Sequence, residues 1–268
     1  MIERELLSLP AVINMKIIRF DEIDSTNSFL HGYHEGDDVE TVVAVAEYQT
    51  AGRGQGTNHW ESERGKNLTF SVRVAPKGVR AACQYVLSMC IALAVKDTLM
   101  EYIGEVAVKD TLTESSGDVT VKWPNDIYWR DKKISGTLIE TTLVGSDVKT
   151  CIFGTGININ QTEFLSDAPN PVSIKQITGR QTDREAVLQS VMKNLEGYLK
   201  RLYDGGRREI HREYEDCLYR KNGVHKYRDK DGEFDAQIEG VEESGHLVLR
   251  STDGRQRRYG FKEVEFVI

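Results

Sequence analysis

The amino-acid sequence predicts an α+β fold: a mixed β-sheet with helices packed on one face, followed by a small C-terminal β-barrel. Three observations predict it. Apolar runs short enough for strands alternate with a few helix-length segments, so purely helical and purely β architectures fail. Strand-like runs between residues 119 and 159 follow one another through short connections, which favours antiparallel pairing there. Beyond residue 223 the chain reads as short strands separated by glycine-containing turn dipeptides.

Taken in order, Lys16 to Phe20 and Thr41 to Tyr48 read as strands. The second is so uniformly apolar, through Val42, Val43, Ala44, Val45 and Ala46, that both of its faces should be covered. Between them, Asp24-Ser25-Thr26-Asn27 supplies caps for a helix through Phe29 and Leu30. Leu68, Phe70, Val72 and Val74 alternate with strand periodicity. Arg80 to Tyr102 carries Val86, Met89, Cys90, Leu93 and Ala94 at helical spacing, a central buried helix whose sulfur residues belong to the core. After a loop from Thr113 to Asp118 come strands over Val119 to Trp123, Ile127 to Trp129, Ile134 to Thr142 and Lys149 to Ile159. A helix from Arg184 to Leu202 and a polar one from Arg207 to Tyr219 end at the stop signal Asn222-Gly223. Asp231-Gly232, Ser244-Gly245 and Asp253-Gly254 then mark hairpin turns, so the expected domains are 1–222 and 223–268.

Composition narrows the function. The chain has 268 residues, 39% of them hydrophobic, enough for a real core in one large domain or one large and one small. A formal charge of −7 disfavours general affinity for nucleic-acid backbones. Cys83, Cys90, Cys151 and Cys217 form no Cys-x-x-Cys pair and have no histidine cluster beside them, against a disulfide scaffold or a zinc site. The start lacks a signal sequence, and the longest apolar window, Tyr85 to Val95, is too short for a bilayer. The expectation is a cytoplasmic protein that touches neither membrane nor DNA. About fifteen residues precede the first core strand, too few for a DNA-binding bundle, so repressor activity is not expected.

The densest chemical feature is Glu47-Tyr48-Gln49-Thr50-Ala51-Gly52-Arg53-Gly54-Gln55-Gly56-Thr57-Asn58-His59-Trp60. Glycines at alternate positions let a backbone fold around an anion, and Arg53 adds a bidentate fork; a flexible connection is the competing reading. The spacing fits neither a P-loop nor the dinucleotide fingerprint. Gly154-Thr155-Gly156-Ile157-Asn158 places two glycines inside a strand, which signals close approach by a ligand or simply a bulge. In Lys122-Trp123-Pro124-Asn125-Asp126, followed by Lys133 and Gly136, the proline and Asn-Asp suit a turn. Lys122 and Lys133, flanking that turn in an apolar sheet, are either surface lysines or site cations.

Together these segments, in this order and spacing, resemble the biotin protein ligases over most of the chain, in a short form. The resemblance implies a class II synthetase-like catalytic domain and an SH3-like C-terminal barrel. It further implies activation of biotin by ATP to biotinyl-5′-AMP, then transfer to one lysine of a biotin carboxyl carrier protein domain. By the same resemblance, Ser25, Thr26, Asn27, Gln49, Gly136, Gly154 and Gly156 line the biotin pocket, and Gly52, Arg53, Gly54 and Gln55 close over it. Lys133 holds the reacting carboxylate and Arg53 assists; Trp60, Lys122, Asn125, Asp126 and Asn158 serve ATP, with Asp126 also the candidate for Mg²⁺ and for the base of acyl transfer. The lid departs from the family's frequent Gly-Arg-Gly-Arg-x-Gly-Arg: Gln55, Thr57 and Asn58 stand at the second arginine, last glycine and third arginine. Monomer and homodimer both remain open. So do two rivals, a lipoate ligase of the same fold and a catalytically silent module that binds biotin or the carrier. The polar Ser25-Thr26-Asn27 and Gln49 edge favours the ureido ring of biotin over lipoate. Retention of Lys133, Asn125 and Asp126 disfavours the silent module. Arg255, Arg257 and Arg258 either steer an acidic carrier or form a solvated face.

Overall fold

The structure is a computed structural model that describes residues 3–5, 15–33, 41–56, 58–110, 118–166 and 170–268, with backbone only for 3–5 and 105–110. Thr57 and most of the expected 113–118 loop lie outside the described residues.

Eight strands form one mixed sheet: β1 (Glu3–Glu5), β2 (Met15–Ile23), β3 (Thr41–Gln49), β4 (Leu68–Val74), β5 (Val119–Lys122), β6 (Asp126–Trp129), β7 (Lys132–Val144) and β8 (Asp147–Ile157), in the order β1-β2-β3-β4-β8-β7-β6-β5. The β2–β3 pair is parallel and every other pair antiparallel, as short connections from β5 to β8 require. Between β2 and β3 runs α1 (Thr26–His31), capped by Ser25, whose hydroxyl accepts from the Ser28 amide.

The long helices share one face of the sheet. The central one, α2 (Tyr85–Asp110), starts later than expected because Ala81–Cys83 makes a 3-10 turn, and it runs further. It packs with α4 (Arg184–Tyr203) and α5 (Arg207–Asp216) over Phe70, Val72, Phe153 and Ile157 in one buried cluster. Helix α5 stops at Asp216, short of Tyr219, because Cys217 to Tyr219 pair instead with Val121 at the sheet edge. A short helix not foreseen in the sequence, α3 (Ile174–Thr178), begins on a capping box of Ser173 and Gln176.

On the opposite face α1 covers a second, smaller apolar cluster of Ile18, Leu30, Val42, Ala44 and Ile152. This explains why Thr41 to Ala46 is buried throughout. It also splits β4: Leu68, Phe70 and Val72 face α2, while buried Thr69 and Ser71 face the α1 side. The neighbouring part of that side, along β8 and β7, holds the site.

The C-terminal strands β9 (His225–Asp229), β10 (Gly232–Val241), β11 (Leu247–Ser251), β12 (Gln256–Tyr259) and β13 (Glu265–Phe266) form an antiparallel sheet in the order β12-β11-β10-β9-β13. Gly232, Gly245 and Gly254 adopt the positive φ that their turns demand. Among the described residues no ladder joins β12 to β13, so the expected closure into a barrel is not made by hydrogen bonding; β13 has two residues and both pair with β9. The module is anchored on the turn after β5, where the Trp123 indole N–H donates to Gly245 O at 3.0 Å and the Trp123 ring packs near Phe261. Arg255, Arg257 and Arg258 are each ion-paired, to Asp253, Asp229 and Glu242, so they present no uncompensated basic patch.

Candidate functional site

A polar wall stands at the N-terminus of α1. Gln49, the last residue of β3, accepts through Oε1 from the Thr26 amide at 2.8 Å and from the Thr26 hydroxyl at 3.1 Å. The Thr26 hydroxyl lies 2.7 Å from Ser71 Oγ, and Ser71 donates to Asn27 Oδ1 at 2.6 Å. Asn27 Nδ2 in turn donates to Glu140 at 2.8 Å. Ser25, Thr26, Asn27 and Ser71 are all buried, so this chain of bonds holds the wall's donors and acceptors in one orientation.

The floor is made of glycine. In β8, Gly154 pairs with Ser71 on one side and Leu138 on the other; Gly156 pairs with Thr69 and Gly136. A Cβ on Gly154 would sit 2.1 Å from Asn27 Oδ1, and one on Gly156 would sit 2.1 Å from the Trp60 ring. Close approach of side chains from the wall and the lid, not a bulge, is therefore why these strand residues are glycine.

Lys133 reaches this floor through an irregularity in β7. A residue three before Gly136 on a regular strand would point to the other face. Asp126 pairs with Gly136 and Ile127 with Ser135, but Tyr128 pairs with Lys133: the register shifts by one residue at Ile134. That β-bulge turns Ile134 into the core and brings Lys133 to the side of Gly136 and Asp126. Lys133 Nζ then lies 2.8 Å from Asp126 Oδ1, with three-quarters of each side chain covered. Gly136 makes room, since a Cβ there would be 3.1 Å from Lys133 Nζ and 3.0 Å from Asp126 Oδ1.

The glycine-rich segment folds back on itself as a hairpin. Gly54 N donates to Asn58 O at 2.8 Å, Trp60 N donates to Gly52 O at 3.1 Å, and Arg53 bridges to His59. Gly52 and Gly54 are small because the returning strand crosses them, at 2.9 Å and 3.0 Å from their would-be Cβ atoms. The Gly54 amide is consequently spent inside the hairpin and not offered to an anion. Trp60 lies on Gly156, its ring 5.9 Å from Lys133 Nζ and its buried Nε1 without a hydrogen-bond partner.

Arg53 makes a bidentate contact with Glu140, Nη2 to Oε1 at 3.0 Å and Nη1 to Oε2 at 3.4 Å. His31 Nε2 is 3.0 Å from the same carboxylate. Burial alone would raise the Glu140 pKa, but hydrogen bonds from Asn27 and His31 and the Arg53 charge outweigh it and hold the carboxyl below the usual range.

The nucleotide-side residues are more dispersed. Asn125 is tied to β7, its side-chain amide donating to Thr137 O and its own carbonyl accepting from the Thr137 amide. Lys122 lies between the rings of Tyr128 and Phe266, 5.0 Å and 5.3 Å from their centroids, and burial lowers its pKa against the pull of Asp126. It therefore joins the two sheets as well as flanking the site. Asn158 is 4% exposed and its Oδ1 has no partner, a buried acceptor left open beside the end of β8. Two site residues escape sequence reasoning, Ser71 and Glu140. Ser71 shares the polar face of the alternating run Leu68 to Val74 with Thr69 and Arg73, so the pattern marks its face but not its role; nothing local marks the second.

Comparison with known proteins agrees with this geometry. Residues 20–158 match the model of the Biotin/lipoate A/B protein ligase family. The chain belongs to that family. Within it, the bifunctional ligase/repressor BirA of Bacillus subtilis is 28% identical over 253 residues, 92% of this chain and 73% of the relative. The biotin–[acetyl-CoA-carboxylase] ligase of Paracoccus denitrificans is 29% identical over 217 residues, 79% of this chain and 85% of that protein. A biotin protein ligase from Aquifex aeolicus, solved in complex with biotin and ATP, matches with a TM-score of 0.72 at 26% identity, over 93% of this chain and 97% of that one.

Proposed function

We propose that the protein is a biotin protein ligase, which condenses biotin with ATP to biotinyl-5′-AMP and pyrophosphate and then passes the biotinyl group to one lysine of a biotin carboxyl carrier protein domain. The carrying observation is the pairing of a fixed donor-and-acceptor wall, Thr26–Gln49 and Asn27, with the Lys133 ammonium across one glycine floor. A ureido ring is flat and needs matched donors and acceptors at one end, and its acyl chain needs a strip free of side chains. Gly154 and Gly156 bear no side chains of their own and form a strip that leads toward Lys133, bordered by Asn27 and covered at Gly156 by the Trp60 ring.

In this reading the first step is electrostatic. A carboxylate oxygen attacks the α-phosphorus of ATP, and the bond to pyrophosphate breaks. Lys133 and Arg53 offset the repulsion between two anions and the charge growing on the phosphoryl oxygens. Mg²⁺ bound with the ATP phosphates would supply further positive charge there. Of the site residues Asp126 suits it, and a nucleotide-borne ion that keeps most of its waters needs little more. Among the described residues no group of three metal-ligating side chains forms a separate metal site. Asn158 Oδ1 accepts from the adenine amino group, which removes its deficit.

The mixed anhydride must then survive until the carrier docks. The Gly52–Trp60 hairpin covers it from water, and the carrier lysine attacks the acyl carbon, forming an amide and releasing AMP. Asp126 is our candidate to receive the proton that this amine gives up. Residues 1–222 bind the small substrates; residues 223–268 buttress the turn at Trp123. Among the described residues no helix is long and apolar enough to cross a membrane, and we place the reaction in the cytoplasm.

ATP–pyrophosphate exchange tests the reading. We expect exchange that requires biotin and is not supported by lipoate. Support by lipoate alone makes the protein a lipoate ligase, and exchange with neither makes it a binding module. The lid has its own test. Gln55 stands at the second arginine of the resembled lid pattern, so Gln55→Arg is expected to slow release of bound biotinyl-5′-AMP by about two- to fivefold, the scale of one exposed charge pair. Equal release rates for variant and wild type would count against an electrostatic role for this position.

A further inference from the structure

We propose that Glu140 is a positioning residue, a latch that holds the lid arginine beside the pocket wall and yields it to the substrate's carboxylate. The inference rests on the biotin-ligase reading for the identity of that carboxylate, but the latch itself is read from the Arg53–Glu140 contact.

Three observations carry it. The Arg53 guanidinium is already engaged by a carboxylate, in the two-pronged geometry a substrate carboxylate would take. Glu140 is fixed before it meets Arg53: Asn27 Nδ2 donates to it at 2.8 Å and His31 Nε2 lies at 3.0 Å. Finally, the hairpin carries Trp60 down onto Gly156 with its indole N–H unpaired, so the glycine floor is covered by a group that gains a hydrogen-bond partner on moving away. Entry of biotin must lift Trp60 from the floor, and the Arg53–Glu140 pair resists that movement. The same carboxylate orients Asn27 in the pocket wall, so one residue couples the wall to the lid.

The two roles separate by substitution. Glu140→Gln keeps a carbonyl oxygen for Asn27 but removes the charge that holds Arg53. Glu140→Ala removes both. Tryptic cleavage after Arg53 in the ligand-free protein reads the latch without any reference to biotin. It is expected to speed up about two- to fivefold in Glu140→Gln, the range of a half-exposed ion pair. Biotin association measured by stopped flow is expected to accelerate by a similar factor, with the affinity loss confined to Glu140→Ala. Unchanged cleavage and unchanged association in Glu140→Gln, with the melting temperature showing that the variant is folded, would overturn the proposal. Faster cleavage in a protein that shows no biotin-dependent exchange would keep the latch and reject the ligase reading.

Discussion

Alanine at position 133 is expected to lower biotin-dependent ATP–pyrophosphate exchange by about three orders of magnitude, equivalent to about 4 kcal/mol of transition-state stabilisation. The ammonium is three-quarters covered, held at 2.8 Å from Asp126 and set by the β7 bulge beside the glycine floor. A cation in such a place acts through a lower dielectric than water and needs no reorganisation when charge develops. Its loss also leaves Asp126 with only the electrostatic pull of Lys122 as counter-charge, so its negative charge near the phosphates is less well offset. Stability should change by about 1 kcal/mol or less, because the pair is still part-exposed. Single-turnover adenylation therefore separates the two effects: the rate collapses while the melting temperature barely moves. Lys133→Arg is not expected to rescue, since the space beside Gly136 and Asp126 suits a compact ammonium and not a planar fork. Wild-type rates in Lys133→Ala would remove this lysine from the chemistry.

Gly154→Ala is the second large effect, and it acts on binding. The added methyl would lie 2.1 Å from Asn27 Oδ1 and 2.6 Å from its Cγ. Asn27 cannot step aside cheaply, because Ser71 holds its oxygen and Glu140 its nitrogen. Forcing it away costs about 1–3 kcal/mol by the usual scale of overpacking and spoils the wall that meets the ureido ring. Biotin affinity measured by calorimetry should fall by about 10- to 100-fold. Gly197→Ala in α4, where a methyl meets nothing within 4 Å, is the matched control and should bind as wild type does. Equal affinities for the two variants would mean that biotin binds elsewhere.

Much of the scaffold was legible from local pattern. Alternation marked β4, the cap at Ser25 marked α1, and turn glycines marked the C-terminal hairpins. Asn27 and Gln49 were identifiable through the family resemblance, Gly154 as a glycine inside a strand and Lys133 as a lysine in an apolar sheet, and the structure gathers them on one face. The lid glycines were visible too, but not their use, because closure of a hairpin and cradling of an anion place the same demand on composition. Glu140 stayed hidden: its partners Asn27 and Arg53 lie 113 and 87 positions away, beyond any local signal.

The sequence by itself determined the order of elements, the antiparallel run from β5 to β8, and which short segments carry chemistry, since periodicity, capping and turn preference act over a few neighbouring residues. Tertiary structure alone decided which side of the sheet each group serves. Strand parity would have sent Lys133 away from Gly136, and one extra residue in the ladder reverses it. A register shift exists only between paired strands, so no single strand's pattern contains it.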